Sequence, residues 1–243
     1  MFKVGIVSCL QDEEKGGTAV REDYRHEVKH EISYSDLLDI RRRMSVIARR
    51  DAHAKDGKYH IRSLYFDNPE DKALREKLLG VAKREKYRIR CYDGDVSFIR
   101  LEKKTKIGGL GTKDMAPLTK EQVLKILSGD TDWLLEEKDE LLRQFYAAIK
   151  NERLQPKTVV DYTREPFIYD PGNVRVTLDY DVRSGLKLLD MLDFSAPTVP
   201  VKESPIILEV KWDQFLPEVI RQAVQLPVRE QAYSKYAACR MYD

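Results

Sequence analysis

The chain has 243 residues, enough for one large domain or two small ones, and 42% of them are hydrophobic, enough to fill a core. Charged residues reach 35%, above the roughly 25% of an average soluble chain. Yet 43 Lys and Arg stand against 41 Asp and Glu, a net charge of +2, which argues against a basic tail or a nucleic-acid coat and makes the placement of charge the question.

Residues 1–23 are expected to be a poorly ordered N-terminal extension, with the patterned domain over 24–243. Residues 24–33 alternate as a strand does, and 35–50 carry a helical apolar face that Ser35 could cap. Residues 61–66 read as a short strand. Asn68-Pro69-Glu70 opens a predicted helix reaching about Leu79. Residues 86–92 and 96–106 form a predicted hairpin around Asp93-Gly94, and Gly108-Gly109-Leu110-Gly111 reads as a flexible connection. Helices are predicted over 119–127 and 134–150, strands over 158–169 and 174–182 around Pro171-Gly172-Asn173, and irregular chain over 184–204. A strand over 206–212 and helices near 214–225 and 229–241 complete the pattern. Hairpins interrupted by helices give an α+β class with an antiparallel sheet, and no phosphate loop of the dinucleotide or Walker type is present.

Cys9, Cys91 and Cys239 are odd in number, far apart and form no C-x-x-C pair. That argues against a disulfide framework or a zinc site and points to reduced thiols in a cytoplasmic protein. No segment approaches the length of a membrane span. The mildly apolar 1–10 is followed by Asp12-Glu13-Glu14 and does not read as a signal peptide.

Residues two apart on a strand share a face. Arg25, Glu27, Lys29 and Glu31 fall together, as do Arg88, Arg90 and Tyr92, then Arg100, Glu102, Lys104 and Lys106. Tyr162 pairs with Arg164, Arg175 with Thr177, Asp179 and Asp181, and Glu209 with Lys211. The opposite faces are apolar, for example Ile89 and Cys91, Ile99 and Leu101, or Leu208 and Val210. One such strand is ordinary for a sheet with one solvated face. The recurrence on every strand points instead to a barrel with charge inside and helices outside. Cations about 6 Å apart repel by roughly 3 kcal/mol at an effective dielectric near 20, so such an interior calls for an anion. A phosphate chain suits it, gripped by Arg forks and Lys point charges.

Tyr87-Arg88-Ile89-Arg90-Cys91-Tyr92 and Phe98-Ile99-Arg100-Leu101-Glu102-Lys103-Lys104-Thr105 resemble the paired core strands of the VTC (vacuolar transporter chaperone) polyphosphate polymerase domain. Ser63 to Asn68, Tyr162-Thr163-Arg164, Leu208 to Lys211 and Tyr233-Ser234-Lys235-Tyr236 extend the resemblance in order over about 24–241. It is closest to the bacterial stand-alone form, within the CYTH-related triphosphate tunnel metalloenzymes. The resemblance implies a closed, eight-stranded antiparallel tunnel with helices outside. It implies catalytic roles for Arg88, Arg90, Lys104, Arg164 and Lys235, and substrate binding by Arg25, Lys29, Lys113, Tyr162 and Ser234. It implies Glu209 and Glu27 as ligands of a divalent metal, Mn²⁺ or Mg²⁺. The first strand reads Arg25-His26-Glu27-Val28-Lys29, where the wider superfamily has Glu-x-Glu-x-Lys. The implied function is metal-dependent phosphoryl transfer from a nucleoside triphosphate such as ATP to a polyphosphate chain. A triphosphatase is the enzymatic alternative, and a non-catalytic polyphosphate or nucleotide sensor docking on a membrane-protein partner is the other. No nucleic-acid partner and no membrane span of its own are expected.

Overall fold

The computed structural model describes residues 26–108, 110–186, 188–202, 204–224 and 233–241. Arg25, Cys9 and the 1–23 extension lie outside the described residues. Among the described residues, ten strands follow in chain order: β1 (His26–Ile32), β2 (Arg49–Arg50), β3 (Tyr59–Asp67), β4 (Lys83–Tyr92), β5 (Asp95–Ile107), β6 (Leu110–Leu118), β7 (Gln155–Tyr169), β8 (Val174–Ser184), β9 (Val199–Pro200) and β10 (Ile206–Trp212). Six α-helices accompany them: α1 (Tyr34–Ile47), α2 (Lys72–Leu78), α3 (Lys120–Ser128), α4 (Glu140–Glu152), α5 (Glu218–Ala223) and α6 (Lys235–Arg240).

Eight strands run in the order β1-β10-β8-β7-β3-β4-β5-β6, with β2 and β9 as short additions to β7 and β8. The ladders are antiparallel throughout. Six inter-strand steps separate β1 from β5, about 29 Å in a flat sheet. Yet Lys104 Nζ on β5 lies 3.3 Å from Glu27 Oε2 on β1. The sheet is therefore curled strongly about its charged face. It is not the closed barrel expected: among the described residues, β1 and β6 share no ladder. A side-chain ion pair spans the seam that hydrogen bonds leave open.

The outward faces are apolar in two separate blocks. Ile89, Leu101 and Ala116 pack beneath α3 and α4, with Val123, Phe145 and Leu142 at their centre. Phe167, Val176, Leu178 and Leu208 pack beneath α1 and α5, with Leu37, Ile40, Met44 and Ile220. A third cluster lies on the inner face, where Tyr236 and Cys239 of α6 meet Ile61, Tyr65 and Tyr162. So α6 plugs the concave side, a departure from the expectation that every helix packs outside.

Local chemistry explains where the elements differ from the sequence pattern. Ser33, not Ser35, caps α1 in a reciprocal capping box with Asp36. The chain predicted as a connection after Gly108 becomes β6. Its Pro117 is tolerated because an edge strand has a ladder on one side alone. The helix expected over 134–150 is a 3₁₀ turn, Asp132–Leu135, followed by α4. Asp93 and Gly94, at φ 52° and 71°, make the predicted hairpin turn, whose two left-handed positions favour Asp-Gly. Asp181 also has positive φ, 52°, at a bulge where the β7–β8 register shifts between Asp161 and Thr163. The bulge turns Val182 into the inner apolar cluster and sends Asp181 outward to Arg183. Of the expected acidic pair, Asp179 alone faces the interior. Cys91 and Cys239 are buried, and neither forms a disulfide among the described residues.

The helix expected from Pro69 begins at Lys72 instead, and its N-cap residue Asp71 is left-handed and makes no side-chain cap. Asp67, at the end of β3 and 1% exposed, replaces it. Its carboxylate accepts from the Ala73 and Leu74 amides at 2.8 and 3.0 Å and from Tyr236 Oη at 2.7 Å. One group thus ties α2, α6 and β3 together. Asp67→Ala should lower the unfolding free energy by about 3 kcal/mol, since these three donors and the Asn68 amide, at 2.9 Å, lose their acceptor. Urea denaturation of the two proteins measures this.

Candidate functional site

Cross-strand register builds the interior. Lys29 faces Glu209 and Glu27 faces Lys211 across β1 and β10. Arg164 faces Asp179 across β7 and β8. Arg88 faces Glu102 across β4 and β5. Opposite charges directly across a ladder attract, so the sheet itself sets these pairs in place.

Four carboxylates hold eight cations. Glu102 is 2.6 Å from Arg88 Nε, 2.7 Å from Lys113 Nζ and 3.8 Å from Arg90. Asp179 takes both Arg164 nitrogens at 2.7 and 2.8 Å and Lys235 Nζ at 2.6 Å. Glu209 lies 3.1 Å from Lys29 and 2.7 Å from Lys211. Glu27 contacts Lys29 at 2.7 Å, Lys104 at 3.3 Å and Lys211 at 3.6 Å. The predicted basic residues Lys29, Arg88, Arg90, Lys104, Lys113, Arg164 and Lys235 therefore do converge on one concave surface.

Aromatic groups position several of them. Arg90 donates to Ser63 Oγ and to Tyr162 Oη, each at 3.1 Å. The Tyr162 ring also lies 4.6 Å from Lys235 Nζ and 5.6 Å from the Arg164 guanidinium, a π face separating three cations. Tyr162 is 2% exposed and braces the cations from below. Tyr65 Oη accepts from Arg88 at 2.8 Å, and its ring stacks on Tyr236. Ser234 caps α6 by accepting from the Ala237 amide, which presents Lys235 to Asp179.

Toward the mouth lies a cavity of about 300 Å³ lined by Glu27, Lys29, Arg84, Lys86, Lys104 and Ser234, among others. Sequence reasoning stopped short of Lys86, Tyr65 and Lys211 as site residues. Lys211 already shares the charged strand face with Glu209, and extending the Arg88-Arg90 alternation by one step, two before Arg88, reaches Lys86. Tyr65 gave no such signal, being embedded in an apolar run.

The ionisation of these groups follows from crowding. Burial and Glu209 would push the Glu27 carboxyl up, but Lys29, Lys104 and Lys211 outweigh them and hold it at about 2. Burial likewise opposes, and Arg164 with Lys235 overcomes, so that Asp179 is also held at about 2. Glu102 and Glu209 are driven well below the usual range by their cations, against burial. Burial and like-charge neighbours lower Lys104 and Lys113 to about 8 each, against the pull of Glu27 and Glu102.

Glu27 and Glu209 were expected to ligate a divalent metal. Each is instead occupied by at least two ammonium groups, and no cluster of three His, Cys, Asp or Glu able to hold a metal exists among the described residues. As they stand, these residues do not fit a resident metal ion.

The chain matches the model of the VTC domain family over residues 24–242. It belongs to that family. No curated protein sequence matches it. Among solved structures, a putative adenylyl cyclase from Hippeastrum, described as having a dominant triphosphatase activity, superposes with a TM-score of 0.53 at 14% identity, covering 90% of this chain and 96% of that one. The PH1819 protein of Pyrococcus horikoshii OT3 gives 0.47 at 13% identity over 90% of this chain and all of the other. A Mimivirus capping enzyme triphosphatase gives 0.41 at 13% identity over 84% and 91%. At such identities the Hippeastrum protein speaks for a shared fold. No described helix of the VTC-domain chain is long and apolar enough to cross a membrane.

Two consequences can be measured. Because Glu27 and Asp179 have folded values near 2, below their ordinary 4.5 and 3.8, the unfolded chain binds more protons between those limits. Their stabilisation is complete above about pH 5 and is lost as the pH falls toward 2. Thermal melts should show Tm falling through that window, with a shallower fall for Glu27→Gln. Glu102→Gln should cost roughly 3 kcal/mol in denaturant titrations, because Arg88 and Lys113 lose their buried counter-charge.

Proposed function

We propose that this chain binds a linear chain of phosphates in its basic concavity and transfers a phosphoryl group along it, in the manner of a polyphosphate polymerase. A nucleoside triphosphate is the donor and the terminal phosphate of a polyphosphate the acceptor. The observation that carries the reading is the excess of inward-facing Arg and Lys over the carboxylates that serve them. Arg90 illustrates it, buried at 3% exposure with hydroxyls as its close partners and Glu102 at 3.8 Å. A buried guanidinium so weakly neutralised is poised for an incoming oxyanion.

The reaction forms a bond from an acceptor phosphate oxygen to the γ-phosphorus and breaks the bond from that phosphorus to the β,γ-bridging oxygen, releasing nucleoside diphosphate. Catalysis of this kind is positioning plus electrostatic stabilisation. Arg88 and Arg90, two residues apart on β4, would grip equatorial oxygens, and Lys104, Lys113 and Arg164 would offset charge on donor and acceptor. A divalent ion, Mn²⁺ or Mg²⁺, would come with the nucleotide, held chiefly by phosphate oxygens, since Glu27 and Glu209 are taken by lysines.

The acidity of the carboxylates favours phosphate over water as acceptor. An anionic phosphate oxygen needs no base, whereas water does, and carboxylates held near 2 are poor bases at neutral pH. Hydrolysis of triphosphate is the second reading, favoured by the described activity of the Hippeastrum neighbour. A sensor without turnover is the third, favoured by the lysine-occupied glutamates.

Incubation with ATP and Mn²⁺ or Mg²⁺, with and without EDTA, followed by a polyphosphate gel and a free-phosphate assay, separates the three. Polymer is expected, reduced at least ~100-fold in Arg90→Ala, by the scale of a lost charged hydrogen bond in a dry site. Free phosphate without polymer would make it a triphosphatase. Tight polyphosphate binding with neither product would leave a sensor.

A further inference from the structure

Across β4, β5 and β6 the ladder aligns Lys86 with Lys104 and Lys104 with Lys113. Like charges directly opposite on neighbouring strands destabilise a sheet, so three lysines in one row need compensation. Lys104 has Glu27 at 3.3 Å and Lys113 has Glu102 at 2.7 Å. Lys86 has no carboxylate within salt-bridge distance among the described residues; its recorded contact is the Tyr65 ring, 5.6 Å from Nζ. It lines the mouth cavity with Lys29, Lys104 and Lys106.

We infer that Lys86 is a further anion-seating residue, holding a phosphate group at the mouth together with Lys104 and Lys29, in the place a carboxylate would otherwise fill. This rests on the phosphate-chain reading of the concavity and adds to it both a subsite and a linkage to protons.

Around the cavity at Lys86 stand Tyr65 from β3, Arg84, Glu85 and Arg88 from β4, Lys104 and Lys106 from β5, Glu27 and Lys29 from β1, Lys77 from α2, and Tyr233; a second cavity that Lys86 lines adds Asp67, Lys72, Glu76, Lys83 and Glu152. Cations outnumber carboxylates in this set. Burial, then Arg88, Lys104 and Lys29, lower the Lys86 ammonium to about 7, against the Tyr65 phenol. Burial would raise that phenol, but Arg88, Lys86 and Arg90 pull it down. Above pH 7 the empty seat therefore sheds charge, and a bound polyanion restores it. Binding of phosphate chains should take up protons, because the bound state favours the ammonium. The same lowering means that the ligand-free fold binds fewer protons at Lys86 than the unfolded chain between about pH 7 and the ordinary 10.5. Stability conferred at this position is present above that window and lost as the pH falls through 7.

The test is calorimetric titration of the full chain with inorganic triphosphate at pH 8, in two buffers of different ionisation enthalpy. The native protein should take up on the order of one proton at Lys86, besides those at Tyr65, Lys104 and Lys113, as a group of value 7 is mostly deprotonated at pH 8. Lys86→Arg, always protonated, should bind within about threefold of native yet lose most of that proton. Lys86→Met should bind at least ~10-fold more weakly, by the scale of one charge-assisted hydrogen bond, while its ligand-free Tm at pH 6 rises. A structural role would move neither the proton count in Lys86→Arg nor the Tm of Lys86→Met in these directions. If both variants bind with native affinity and native proton uptake while Arg90→Ala does not bind, the inference about Lys86 is overturned and the phosphate-chain reading stands. If the native chain does not bind triphosphate, both fall together.

Discussion

The structure depends on the attraction between a few buried carboxylates and the many cations around them. A sheet that curls its charged face inward brings guanidinium and ammonium groups within a few ångströms of one another in a medium that screens poorly. Glu102 and Asp179 each anchor cations from different elements, Lys113 and Arg88 in one case, Arg164 and Lys235 in the other. Glu27 reaches across the open seam to Lys104. These contacts hold the curl that the hydrogen-bond ladder does not complete. Burying such ions is expensive, and the cost is offset outside, where two apolar blocks fasten helices to the opposite sheet face.

The helix α6 links this electrostatic interior to the rest of the fold. Three consecutive residues divide the work: Ser234 caps the helix, Lys235 joins the Asp179 pair, and Tyr236 reaches Asp67 while stacking on Tyr65. Asp67 in turn starts α2, whose Ala73 and Lys77 line the mouth. A shift of α6 would therefore be felt at Arg164 through Asp179, at Arg88 through Tyr65, and at the mouth through α2.

The alternation of charge made most of this interior legible in the sequence. Arg88, Arg90, Glu102, Lys104, Arg164 and Glu209 fall where period-two counting puts them, because a paired strand allows its side chains no other faces. Counting fails where the backbone breaks step. Asp181 has the right parity, but a bulge before Arg183 turns it away. The strand carrying Lys113 was hidden by Gly111 and Pro117, residues that an edge strand accepts and a propensity argument rejects. Glu209 and Lys211 share a strand face in the sequence and do pair, but the open seam and the contacts that fill Glu27 could not be read. Both depend on which distant side chains the curl brings together, and Glu27 meets Lys104 from 77 positions away.

That last contact bears on the chemistry. The family resemblance implies Glu27 and Glu209, each two residues before a lysine on its strand, as a pair of metal ligands. In space, the same four residues neutralise one another, at 2.7 Å within each strand and at 3.1 and 3.6 Å across the pair. Carboxylates so engaged are strong anions and weak bases. They can orient lysines toward an incoming phosphate, but they are poorly suited to deprotonate water. On the proposed reading, an acceptor that arrives already ionised, as a terminal phosphate does, needs no further group from this arrangement.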